Sequence, residues 1–185
     1  MYDEKKFKEM ALSIGNAEGT NLRQMERIFA YARLTLMQFD KNSYIIPDIY
    51  FLLCFWKVIN PDFYTSIRSK EYNIQDLLSK LEDILPQNLL TIDYNYNNKQ
   101  LYYTIASLIY CYDTTQPEGT TCKAALSATK NTTTGKNDYG LTCKILNRET
   151  LNQILDTFYQ RYHQEYSYGL NFILRKIDLL ETFQQ

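Results

Sequence analysis

Apolar residues recur at intervals of three and four along much of this chain, which is the spacing that places side chains on one face of an α-helix. The clearest example follows Asn21, where we predict an amphipathic helix of about five turns. Asn21 is its expected N-cap, and Gln24 is the expected capping-box partner. Its predicted buried stripe consists of Leu22, Met25, Phe29, Ala32, Leu36 and Phe39.

Proline and asparagine mark further helix starts. Pro47 and Pro61 suit the first helical position, and Asn60 precedes Pro61 as a cap. Asn73 is the expected cap of another helix. The helix that begins at Pro47 is apolar nearly all round between residues 49 and 58, which predicts burial on most of its sides.

Residues 89–103 allow two interpretations. Alternating apolar residues between positions 90 and 96 permit a small β-hairpin near residues 89–103, with Leu101 to Tyr103 as its returning strand. The apolar spacing from Leu101 to Tyr112 fits a helix instead. We favour a helix from about Gln100 and leave the hairpin open.

These elements predict an all-α fold, a multi-helix bundle in two halves formed by residues 1–87 and 88–185. The second half contains a stretch rich in Thr, Asn, Lys and Gly at about residues 113–147. It lacks sustained periodicity, so we expect a polar insertion there. Two helices are expected after Arg148.

Composition and charge reduce the number of functional classes that fit this chain. A net charge of −1 disfavours nucleic acid as a partner, and no apolar stretch is long enough to insert into a membrane. The four cysteines lack metal-ligand spacing, so we expect no metal site and free thiols in the cytoplasm. Seventeen tyrosines indicate a core with a hydrated, polar edge, or alternatively a recognition surface.

No complete catalytic signature is present. The nearest match to a phosphate-binding loop, residues 130–137, lacks its first glycine and its final hydroxyl residue. His163 has no orienting carboxylate on its helical face, and Glu82 with Asp83, like Asp178 with Glu181, is interpreted as part of a solvated helix surface. We therefore expect no catalytic residues and no enzymatic activity from this chain alone.

The start of the helix after Asn21 is the one segment whose residues suggest a function. A polar turn with Gly19 opens the helix after Asn21, and Arg23 lies near its start. A guanidinium at this position can point past the helix start toward a phosphate held by a neighbouring site, because its charge is permanent and its donors are bidentate. The alternative interpretation is a solvated charge on an amphipathic helix.

Residues 18–29 resemble the sensor-two region in the helical lid of AAA+-related ATPases, and residues 21–29 more closely resemble an L-R-[DE]-[IM]-E-R stretch of KAP-type P-loop NTPases. The apolar helix at 49–57 and the Asn-Pro step at 60–64 have counterparts in that family. The resemblance implies that residues 1–87 form a lid-like subdomain. It also implies that Arg23 senses nucleotide, with Glu26 and Arg27 as supporting neighbours.

The resemblance covers about residues 6–68, and Walker A, Walker B and the core sheet of the family are missing. It therefore implies the C-terminal region of a larger P-loop NTPase, which would use ATP and Mg²⁺ only when joined to that core. The expected partner is a protein, either this NTPase core or another protein, and oligomerisation stays open.

The alternative function is a stand-alone helical module whose tyrosine-rich face binds another protein. A neighbouring coding segment with G-x-x-x-x-G-K-[ST] would favour the NTPase interpretation. Because Phe29 lies on the predicted buried stripe, the sequence also predicts that Phe29→Ala lowers stability by about 3–5 kcal/mol. Arg23→Ala should change stability little.

Overall fold

The protein is described from a computed structural model. The described residues are 8, 11–12, 14–15, 19–39, 46–85, 98–115, 129–130, 137–161 and 170–179. The helices are α1 (Leu22–Leu36), α2 (Pro47–Ile59), α3 (Pro61–Arg68), α4 (Ile74–Ile84), α5 (Asn98–Thr114), α6 (Arg148–Arg161) and α7 (Leu170–Asp178). Two short strands, β1 (Thr129–Lys130) and β2 (Asn137–Asp138), pair antiparallel. The predicted all-α fold class is confirmed.

The chain forms two compact units. Unit 1 comprises Met1–Glu71 and Tyr168–Gln185, and unit 2 comprises Tyr72–Ser167. This division differs from the predicted halves, 1–87 and 88–185, because α7 packs against α1 and α2 whereas α4 packs against α5.

The helix starts follow the predicted capping chemistry. The backbone N–H of Gln24 donates to the Asn21 side chain, and the backbone N–H of Asn21 donates to the Gln24 side chain, both at 2.9 Å. Asn60 and Asn73 accept from the backbone N–H groups of Phe63 and Asp76. These bonds satisfy amides that a helix leaves without a partner at its N-terminus.

The core of unit 1 is built around α2. Every residue from Asp48 to Trp56 is buried, as the nearly continuous apolar run predicts. The Trp56 ring meets the Phe63 ring edge-on, with centroids 4.9 Å apart. This geometry suits aromatic quadrupoles and fastens α3 to α2.

The predicted stripe of α1 is wrong in three positions. Leu22, Phe29 and Leu36 are 76%, 46% and 49% exposed, whereas Ile28 and Thr35 are fully buried. The buried face of α1 therefore contains Ile28 and Thr35. Each of these residues comes one position before a residue of the predicted stripe, Phe29 or Leu36.

Polar side chains determine this orientation of α1. The Tyr31 hydroxyl donates to the Ile177 carbonyl at 2.7 Å, and the Thr35 hydroxyl is hydrogen-bonded to the Tyr50 hydroxyl. Turning Phe29 inward would break these bonds and leave buried hydroxyls without partners, which is unfavourable.

In unit 2, α5 packs against α4 and α6. Because α5 spans Asn98–Thr114, the favoured helix from about Gln100 is confirmed, and the alternative of a returning strand at Leu101 to Tyr103 is wrong. Residues 89–97, the rest of the predicted hairpin, lie outside the described residues.

The predicted polar insertion at about 113–147 contains ordered structure at its C-terminal end. The β1–β2 pairing lies within it, and Tyr139, Leu141 and Leu146 are buried. These three side chains belong to the core of unit 2, and their spacing was too irregular to indicate burial. In the described part of the chain, no helix combines the length and apolar character needed to cross a membrane.

Candidate functional site

The exposed face of α1 is the candidate site. Leu22, Phe29 and Leu36 lie seven residues apart, so they form one row along the helix that spans about 21 Å. We call these three residues the apolar row. The Phe29 ring also touches the core through Phe51, with ring centroids 5.9 Å apart. The apolar row is thus held by the packed core while presenting large hydrophobic surface outward.

The sequence-predicted residues Arg23, Glu26 and Arg27 all lie on α1 and are all exposed. Arg23 occupies the second residue of the helix. Within the part of the chain that the structure describes, none of the three forms an ion pair. Their side chains are therefore open to a partner, and their role in nucleotide sensing stays a prediction.

Charges on α1 are unbalanced. The helix carries Arg23, Arg27 and Arg33 against Glu26 alone, and all four side chains are exposed. The exposed side of α1 therefore combines large apolar groups with an excess of guanidinium groups.

The structure also contains a buried carboxylate, that of Glu82, which the sequence pattern assigns to the surface. Glu82 of α4 is 1% exposed and accepts the backbone N–H groups of three consecutive residues, Lys144, Ile145 and Leu146, at 2.8–3.0 Å. A carboxylate compensates well for buried amides because charge-assisted hydrogen bonds are strong. Glu82 thereby fixes the segment that leads into α6.

A second side chain of α4, that of Gln75, also binds the backbone of the segment that leads into α6. The Gln75 side-chain amide donates to the Thr142 carbonyl and accepts from the Thr142 N–H, both at 2.8 Å. Asp83, adjacent to Glu82, pairs with the exposed ammonium of Lys144 at 2.9 Å. Only Asp83 of the two neighbouring carboxylates behaves as the solvated group that the sequence suggested.

Asp178 is likewise not a solvated surface group. It lies at the end of α7 in unit 1, where its Oδ1 accepts from Lys57 Nζ at 3.1 Å and from the Tyr64 hydroxyl at 2.9 Å. Its Oδ2 pairs with Arg68 Nε at 3.0 Å. The Lys57 ammonium also lies 4.4 Å from the centre of the Tyr64 ring. This cluster joins α7 to α2 and α3.

Asp178→Ala should lower the free energy of unfolding by about 2–3 kcal/mol, because it leaves the Lys57 ammonium without its carboxylate. The Lys57 side chain is 14% exposed, so water compensates only partly. Chemical denaturation measures the change, and the double variant Lys57→Met/Asp178→Ala is the control. If the double variant loses as much as the sum of the single variants, the two groups are not coupled.

The position of Glu82 and Asp178 in the apolar pattern of their helices indicates that neither is a solvated group. Glu82 follows Leu78 by four residues, and Asp178 follows Leu174 by four residues, so each lies on the apolar face of its helix. An acidic residue on an apolar face indicates a buried partner, and the sequence could have been interpreted in this way.

Tyrosines of unit 2 form an aromatic cluster with polar ends. The ring of Tyr159 stacks on Tyr139 and meets Tyr110 edge-on. Its hydroxyl donates to Asp113 at 2.7 Å. Burial first, and the Asp113 carboxylate second, raise the pKa of Tyr159 far above its usual range, so the hydroxyl stays protonated. The cluster is part of the core and is not an open recognition surface.

The described cysteines do not form a reactive or metal-binding group. Cys54 and Cys111 are buried and Cys143 is partly exposed. Burial raises the pKa of Cys54 to about 12 and that of Cys143 to about 11, so both thiols are neutral near pH 7. Among the described residues, no three His, Cys, Asp or Glu side chains gather as a metal site would require. His163 and Cys122 lie outside the described residues.

No protein-family model matches this chain, and no curated protein or solved structure is significantly similar to it. The resemblance to KAP-type NTPases therefore rests on the sequence pattern alone.

Proposed function

We propose that this chain is a non-catalytic helical module that binds another protein through the exposed face of α1. The observation that carries the proposal is the apolar row, in which Leu22, Phe29 and Leu36 are about half to three-quarters exposed. Large apolar side chains aligned on one face are typical of docking surfaces, since their burial against a partner is favourable.

The arginines of α1 support a protein partner. Arg is enriched at protein interfaces because its planar group packs on apolar surface and donates several hydrogen bonds. The net charge of −1 for the whole chain disfavours nucleic acid as the partner. We expect the protein in the cytoplasm, where its thiols stay reduced.

A second candidate function follows from Arg23. This residue is exposed at the second position of α1 and forms no ion pair within the described residues. In the C-terminal region of a P-loop NTPase, Arg23 would sense nucleotide bound by the core, with Glu26 and Arg27 beside it. ATP and Mg²⁺ would be held by the core and not by this chain.

Site-specific photo-crosslinking in cells tests the first proposal. A photoreactive amino acid at Leu36 should give a discrete adduct with a protein, because that position lies on the apolar row. The matched control is Lys80, which is likewise open to solvent but lies on α4, outside the proposed binding face. Absence of an adduct at Leu36, or equal yields at both positions, would contradict the proposal.

The identity of the adduct separates the two candidates. A crosslinked protein that carries a phosphate-binding loop supports the NTPase function. In that case Arg23→Ala should lower ATP turnover of the complex without weakening binding, while unchanged turnover would rule out nucleotide sensing by Arg23.

A further inference from the structure

The apolar row is bordered by one acidic and one basic side chain with the same spacing. Glu26 follows Leu22 by four residues, and Arg33 follows Phe29 by four residues. Glu26 and Arg33 therefore occupy equivalent positions beside the row, seven residues apart. In helices that pair along such a row, these flanking positions face the flanking positions of the partner.

Glu26 and Arg33 cannot pair with each other. Seven residues separate them by about 10.5 Å along the helix axis. Both are exposed, and neither forms an ion pair within the described residues. Two opposite charges thus stand open on the same side of the apolar row.

The other side of the row is already occupied. Ile28 and Thr35 immediately precede Phe29 and Leu36, and both are fully buried against the core of unit 1. A partner helix can therefore approach the row only from the side of Glu26 and Arg33, which makes these two charges decisive for its orientation.

We infer that the partner of α1 is a second copy of this chain, packed antiparallel about a twofold axis near Phe29. This inference rests on the proposed function, because it names the protein that the apolar row binds. Leu22 then meets Leu36 of the second copy, and the two Phe29 rings meet at the centre. Glu26 faces Arg33 of the second copy, and the symmetry repeats this pair, as in an isologous interface.

Charge determines the orientation of the pair. In a parallel arrangement about a twofold axis, Glu26 and Arg33 would face the opposite edge of the partner's row, where Ile28 and Thr35 are buried, and neither charge would meet an opposite charge. In the antiparallel arrangement both charges meet opposite charges. The flanking charges are therefore self-complementary only when the two helices run in opposite directions.

Sedimentation equilibrium of the whole chain over a concentration series tests the inference. The apparent mass should rise from 21.9 kDa for one chain toward twice that value. Glu26→Arg alone and Arg33→Glu alone should each raise the dissociation constant about tenfold, since each creates two like-charge contacts. Lys80→Glu, which changes an exposed charge on α4 outside the proposed interface, should leave the constant unchanged.

A mixing experiment identifies the antiparallel geometry. Equimolar Glu26→Arg and Arg33→Glu chains should form a heterodimer as tight as the wild-type dimer, because every flanking charge again meets its opposite. The double variant Glu26→Arg/Arg33→Glu should also recover self-association. A wild-type dimer whose single variants are not rescued by mixing would overturn the α1 interface. Thermal unfolding of each variant should confirm that folding is unchanged, since both positions are exposed.

The two proposals fail in different ways. A wild-type chain that keeps the mass of one chain at every concentration overturns the second copy as partner. If Leu36 then still crosslinks to a different protein, the proposed function stands. If Leu36 gives no adduct at all, both proposals are wrong.

Discussion

Glu82→Ala is expected to lower the free energy of unfolding by about 3–5 kcal/mol, because it removes a buried carboxylate that is the shared acceptor of three consecutive backbone amides. Those amides belong to Lys144, Ile145 and Leu146, and Glu82 itself is 1% exposed. Alanine also leaves a space that water enters only by opening the segment. Equilibrium denaturation measures the loss, and hydrogen exchange at the three amides should accelerate strongly.

Two control variants separate the causes of this loss. Glu82→Gln removes the charge and replaces one of the two acceptor oxygens with an NH2 group, but it keeps the other oxygen, so its effect should be smaller than that of alanine. Asp83→Asn changes the neighbouring carboxylate, whose side chain is 51% exposed, and should lower stability by about 1 kcal/mol at most. Equal effects of the Glu82→Ala and Asp83→Asn variants would show that Glu82 does not hold the segment.

Ile28→Ala is expected to lower the free energy of unfolding by about 2–5 kcal/mol, whereas Phe29→Ala should lower it by only about 1 kcal/mol. Ile28 is fully buried, so the smaller side chain leaves a cavity in the core. Phe29 is 46% exposed, and water fills much of the space that its ring leaves. Denaturation at a concentration where the chain is monomeric measures both changes.

This order reverses the expectation from the sequence, which places Phe29 in the core and assigns Phe29→Ala the loss of a buried aromatic. The two variants therefore discriminate between the two orientations of α1. A larger loss for Phe29→Ala than for Ile28→Ala would favour the stripe predicted from the sequence and would remove the apolar row from the surface.

The candidate site was accessible to sequence reasoning only in part. Arg23, Glu26 and Arg27 were selected for their place at the start of a helix, and the structure leaves all three exposed. The apolar spacing predicts that the residues of the apolar row share one helical face, but it also predicts that this face is buried in the core. Hydrophobic spacing shows that residues share a face; it does not show whether the chain itself covers that face.

Glu82, which is buried, and Asp178, which is partly buried, show a second limit of sequence-based prediction. Glu82 meets its partners 62–64 residues further along the chain, and Asp178 meets Lys57 across 121 residues. No local pattern specifies such partners, and a carboxylate without a known partner is assigned to solvent by default.

The sequence by itself determined the helices and their starts. Asn21, Asn60 and Asn73 cap helices with groups only three residues away, so the information is local. Only the tertiary structure decided which side of α1 faces the core, which carboxylates are buried, and that α7 joins the N-terminal unit. These features depend on hydrogen bonds and packing between distant segments. One such bond, from the Tyr31 hydroxyl to the Ile177 carbonyl, keeps the Tyr31 face of α1 turned toward the core, although the apolar pattern alone predicts that this face is exposed.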